Sequence, residues 1–87
     1  MRVKHTERFD VMLARLPKKT KTLFELQEQR LKISIEDPRL HLKKLKGTDD
    51  VYSIRITRVY RALFVWDDDG TIWFYAIGHR KDIYRHL

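Results

Sequence analysis

The chain has 87 residues, 19 Lys and Arg against 12 Asp and Glu for a net charge of +7, and no cysteine. One small domain with a modest core follows, since chains of this size bury roughly 60–65% of the surface they expose when unfolded. A disulfide framework and a membrane-spanning role are both excluded. No cysteine is present, no apolar run approaches the ~18 residues of a span, and Met1-Arg2-Val3-Lys4 lacks a signal-peptide core, so a cytoplasmic protein is expected.

Arg2–His5 reads as a short strand. Thr6 is placed to cap a helix, with Glu7 and Asp10 in its first turn, where acidic groups are favoured. Phe9, Met12, Leu13 and Leu16 then recur at the i, i+3, i+4, i+7 spacing of one apolar helical stripe. Pro17 closes that helix or opens the next. Residues 18–35 read as a second, longer helix carrying Leu23, Phe24, Leu26, Leu31, Ile33 and Ile35. Those positions cover more than one stripe, which leaves Leu26 or Ile33 for a partner. Asp37-Pro38 is the expected stop.

After Gly47 the period changes to two. Tyr52–Thr57 alternates Tyr52, Ile54 and Ile56 with Ser53, Arg55 and Thr57, a half-buried strand. Tyr60–Trp66 is a second strand and Asp68-Asp69-Gly70 a hairpin turn. Thr71–Ile77 is apolar on both faces and therefore expected in the middle of the sheet, with Gly78 breaking the run and a helical turn in Lys81–His86. The predicted fold is α+β in the order β-α-α-β-β-β, a helical hairpin on one face of an antiparallel sheet.

Charge is distributed unevenly over these elements. Residues 1–47 hold 13 basic and 6 acidic side chains, and residues 48–87 hold 6 of each. In the second half Asp49, Asp50, Asp67, Asp68 and Asp69 fall in turns, while Arg55, Arg58 and Arg61 fall in or beside strands. A basic surface of that kind steers polyanions or acidic proteins.

His5, His41, His79 and His86 are scattered without ligand spacing, and Asp67-Asp68-Asp69 lacks the alternation of a calcium loop, so no metal or other cofactor is expected. The residues that point to chemistry are Arg55, Arg61, His79, Arg80 and Tyr84. Pairing of the last two strands across the Asp-Gly turn brings His79 and Arg80 near Arg61. Converging guanidinium groups hold a phosphate and stabilise charge that develops on it, while histidine or tyrosine can move a proton. That set suits attack of a ribose 2′-hydroxyl on its own phosphodiester. The alternative is that these arginines form surface ion pairs with the nearby aspartates.

Over essentially its whole length the chain resembles the RelE/ParE superfamily of toxins. The resemblance is carried by Leu16-Pro17-Lys18, Asp37-Pro38…Leu45-Lys46-Gly47, Tyr52-Ser-Ile-Arg55, Tyr60-Arg61-Ala-Leu-Phe and Ile77-Gly78-His79-Arg80-Lys-Asp-Ile-Tyr84. It implies the toxin of a type II toxin–antitoxin pair, bound by a cognate acidic antitoxin and, through that complex, by operator DNA. RelE-like members cleave messenger RNA in the ribosomal A site; ParE-like members share the fold and poison DNA gyrase instead. The resemblance assigns Arg61 and Arg80 to the scissile phosphate, Tyr84 to base stacking, and Arg55 to a position usually held by a catalytic lysine. Ser53 departs from the pattern, because a second lysine often stands there; His79 is the candidate to replace it, and an inactive homologue that only binds antitoxin or operator is the further alternative. Lys18, Lys19, Lys21, Lys43, Lys44 and Lys46 are the expected grip on ribosomal RNA.

Overall fold

The computed structural model describes residues 1–48 and 50–87; Asp49, read above as a turn aspartate, lies outside the described residues. The elements are β1 (Val3–His5), α1 (Glu7–Ala14), α2 (Lys18–Ile33), β2 (Lys43–Lys44), β3 (Val51–Arg55), β4 (Tyr60–Trp66) and β5 (Ile72–His79), with short 3-10 turns at Pro38–Leu40 and Ile83–His86.

The local signals act as expected at the N-terminus. Thr6 is extended, and its hydroxyl accepts from the Phe9 N–H at 3.1 Å, satisfying a donor that the first helical turn cannot. Pro17 precedes α2 directly, and the Lys21 N–H donates to its carbonyl. The end of α2 differs from expectation. The helix stops at Ile33, three residues short of Asp37, because Ser34 is already extended. Asp37 and Pro38 start a 3-10 turn instead, the Asp37 carboxylate accepting from the Arg39 N–H at 3.0 Å. The same carboxylate also binds the Arg39 guanidinium, and these bonds hold its pKa down at about 2.

The buried face of α2 is Thr20, Phe24, Gln27 and Leu31, a 4-3-4 stripe containing two polar residues. Phe9, Phe24 and Phe74 meet beneath the helices with ring centroids 5.1–5.4 Å apart. Around them Leu31, Leu40, Ile54, Ala62, Phe64, Ile72 and Ile77 complete the main core. Leu26 and Ile33 remain 45% and 85% exposed.

The sheet is five-stranded, in the order β1-β5-β4-β3-β2, and mixed rather than antiparallel, because β1 runs parallel to β5. Two features correct the sequence reading. Lys43–Lys44 adds an edge strand against β3, too short for any periodicity to reveal. The last strand does not break at Gly78 but continues to His79, with Gly78 paired to Arg61 and His79 to Tyr60. β5 is an interior strand between β1 and β4, not the middle one, and is covered on both faces as its two-sided apolar pattern requires.

Register decides which face each side chain takes, because directly opposed residues share a face. Tyr52, Ile54, Ala62, Phe64, Phe74 and Ile77 face the helices. Ser53, Leu63 and Ala76 take the outer face, and Leu63 and Ala76 join Leu45 and Ile83 there in a second, smaller core. A bulge at Leu63/Phe64 leaves Tyr75 without a partner on β4. The turn Ile83–His86 therefore lies over the outer face, anchored by buried Ile83.

Candidate functional site

The β3–β4 hairpin builds the floor of the site. Arg55 and Arg61 are directly opposed at its end, and Arg61 is in turn opposed to Gly78 on β5. All three belong to the outer face, two residues along from Ser53 and Leu63. Gly78 projects nothing beside Arg61, and Ile83 Cδ1 packs over it, 3.7 Å from where a Cβ would stand. The hairpin loop is tied down by Thr57, whose hydroxyl accepts from the N–H groups of Val59 and Tyr60. The Arg80 N–H reaches across to the Val59 carbonyl and fixes the segment after β5 to the same loop.

Within this frame one terminal nitrogen of Arg61 donates to the carbonyls of Thr57, Arg58 and Tyr60 at 3.0–3.2 Å. These bonds lock the guanidinium in place and leave its remaining N–H groups for another acceptor. Partial burial lowers the Arg61 pKa, and the Arg55 and Arg80 guanidinium groups push it the same way, against an opposing effect of the Tyr84 hydroxyl. Arg55, Arg80 and Tyr84 are thus each near enough to act on the charge of Arg61. Among the described residues the ion pairs are His5 with Asp10 and Glu28, Arg39 with Asp37, and Arg85 with Asp82. None of these involves Arg55, Arg61 or Arg80. Arg55 also carries a buried Nε with no hydrogen-bond partner among the described residues.

His79 does not join this group. It is opposed to Tyr60 and packs edge-on against that ring with centroids 6.0 Å apart, on the helix side of the sheet. Its Nδ1 accepts from the Lys81 N–H at 3.1 Å, which places any ring proton on Nε2. Strand alternation gives the reason: His79 and Gly78 are neighbours in sequence and must point to opposite faces. The lysines also separate. Lys18, Lys19, Lys43, Lys44 and Lys46 are exposed, whereas Lys21 is half-buried with its Nζ 3.4 Å from the Ala14 carbonyl.

Compared with solved structures, the chain superimposes over nearly its full length on the toxin chain of several antitoxin–toxin complexes. With the RelB–RelE complex of Methanococcus jannaschii it shares 28% identity at a TM-score of 0.77, covering 95% of this chain and 96% of that one. The fold is that of a RelE-like toxin. The archaeal RelE–RelB complex of Pyrococcus horikoshii gives 25% identity and a TM-score of 0.74 over 91% and 93% of the two chains. RelBE2 of Mycobacterium tuberculosis gives 25% and 0.67 over 91% and 96%. No protein-family model matches the chain, and no curated protein does.

One residue that positions the arginine cluster escaped the sequence reading. Gln27, buried on α2, donates through Nε2 to the carbonyls of Arg39 and Arg55 at 2.8 and 2.6 Å, while its Oε1 accepts from Arg30 at 2.9 Å. A helix on one side of the sheet thereby holds the backbone of an arginine that faces the other. The available signal was a glutamine at the centre of an apolar stripe, between Phe24 and Leu31.

Proposed function

We propose that this chain is the toxin of a type II toxin–antitoxin pair and a metal-independent endoribonuclease that cuts messenger RNA in the ribosomal A site. The observation that supports it most is a locked Arg61 among Arg55, Arg80 and Tyr84, with no carboxylate of the described residues neutralising the group. Cations held together without counter-charges raise one another's energy, and an incoming phosphate relieves that strain.

In this reading the 2′-oxygen of a ribose attacks the adjoining phosphorus and expels the 5′-oxygen of the next nucleotide. A 2′,3′-cyclic phosphate and a free 5′-hydroxyl result, so no water or external nucleophile enters the bond-breaking step. The Arg61 and Arg80 guanidinium groups hold the non-bridging oxygens as negative charge grows on them. Arg55, opposite Arg61 on the ladder, supplies a third contact through its terminal nitrogens. Tyr84, 41% exposed at the rim, stacks on a base and turns the ribose toward attack. The exposed lysines at residues 18, 19, 43 and 46 hold ribosomal or messenger phosphates, while Lys44 faces the helix side of the sheet. A RelB-like acidic partner is the inferred antitoxin, since the RelE chains that this one resembles were solved in complex with RelB.

Primer extension on cellular messages after a pulse of expression tests the proposal. Cuts inside codons of translated messages are expected for the wild type, and their loss in Arg61→Ala. Halted growth with intact message and a DNA-damage response would favour gyrase poisoning and overturn the nuclease reading.

A further inference from the structure

The arginine cluster accounts for the scissile phosphate but not for the path of the RNA beyond it. Six lysines were grouped above as one basic grip, and sheet register now divides them. Lys43 is opposed to Ser53 and Lys44 to Tyr52. Ser53 is opposed to Leu63, which belongs to the outer-face core, so Lys43 rises from the arginine face; Tyr52 stacks on Phe64, so Lys44 rises from the helix side. With strands about 4.8 Å apart and a rise of about 3.4 Å per residue, the Lys43 and Arg55 Cα atoms lie roughly 8 Å apart along a diagonal of that face. Between them lies Ser53, buried at 3% exposure, so along that diagonal Lys43 and Arg55, not the serine, are the groups an RNA strand meets. Lys43 is exposed and belongs to no ion pair among the described residues.

Resting on the nuclease reading above, we propose that Lys43 is a substrate-contacting cation that holds the RNA phosphate one step beyond the Arg55 site. The strand then runs from Tyr84 and Arg80 past Arg61 and Arg55, and leaves at the edge strand β2. In this chain the cation bordering the arginines is carried across the ladder from residue 53 rather than on it. Lys44, one residue away, has no part in the path because the pleat sends it to the other face.

The test uses a short single-stranded RNA with 2′-fluoro sugars, which cannot be cut, and follows its anisotropy on binding across a salt series. Lys43→Ala is expected to weaken binding about fivefold at 0.1 M salt and to reduce the slope of log K against log salt by about 0.7, the loss of one phosphate contact. Lys43→Arg should keep both values, and Lys44→Ala should match the wild type. The proposal is overturned if the wild type does not bind, if Lys43→Ala binds like the wild type, or if Lys44→Ala loses as much. Primer extension separates this result from the nuclease reading: cleaved messages with unchanged Lys43→Ala binding sink only the Lys43 path, and the expected binding pattern with intact messages sinks only the nuclease.

Discussion

Two basic side chains on opposite faces of the sheet have opposite surroundings. On the helix side His5 lies between two carboxylates, with Nδ1 3.0 Å from Asp10 and Nε2 against Glu28, and its ring packs on Phe9, Phe24 and Phe74. β1, α1 and α2 all contribute to that arrangement. On the outer face Arg61 is surrounded by Arg55 and Arg80, and its hydrogen bonds go to carbonyls of its own loop. The first set of contacts satisfies charge and holds elements together. The second withholds satisfaction and holds a geometry, which is how a binding or catalytic site differs from a structural ion pair.

If that contrast is right, removing Arg61 should harm activity and spare the fold. Arg61→Ala is expected to reduce message cleavage by about 10²-fold or more, the usual loss of an electrostatic transition-state contact. Its urea midpoint should equal or exceed that of the wild type, since a like-charge neighbour of Arg55 and Arg80 has gone. A large drop in midpoint would show that Arg61 is structural after all.

Gln27 tests the link between the faces. Gln27→Leu fills similar volume but leaves the Arg39 and Arg55 carbonyls without their donor. A cost of about 2 kcal/mol in urea unfolding is expected, the penalty for unpaired buried acceptors. Cleavage should fall less than in Arg61→Ala, because the β3–β4 ladder still fixes Arg55. An unchanged unfolding midpoint would break the proposed coupling.

His5→Ala is the mirror of the arginine experiment. It removes the bridge to Asp10 and Glu28, and a loss of about 1–2 kcal/mol is expected, with part of the charge contribution screened by solvent. Cleavage per folded molecule should stay at the wild-type level. Reduced cleavage by fully folded His5→Ala would mean that the two faces are not separate in role.

How much of this was legible in the sequence depends on the range over which each signal acts. The Thr6 cap, the apolar stripe from Phe9, the strand Tyr60–Trp66 and the Asp-Gly turn are fixed by neighbours a few residues away, and each was readable. The convergence of Arg55 and Arg61 on one sheet face followed from strand alternation. The edge strand at Lys43–Lys44, the parallel pairing of β1 with β5 and the reach of Gln27 to Arg55 join residues 8 to 69 positions apart. Nothing local encodes those. Ile35 was assigned to α2 by its apolarity, but Ser34 extends the backbone and places Ile35 beyond the helix, where it still packs on the main core.

His79 shows where proximity in sequence misleads, and it gives the smallest expected effect. Its place beside Arg80 made it the natural substitute for the lysine missing at Ser53, yet one step along a strand reverses the direction of a side chain. The Tyr60 contact and the bond from the Lys81 N–H keep its ring on the helix side. His79→Ala should therefore change cleavage by no more than about twofold, since substitutions clear of a site's contacts usually stay within about 0.5 kcal/mol. The informative measurement is its pH–rate profile beside that of the wild type. Two superimposable curves leave the proton to Tyr84 or to the ribosome, whereas profiles of different shape would mean that the ring swings past the strand end to reach the RNA.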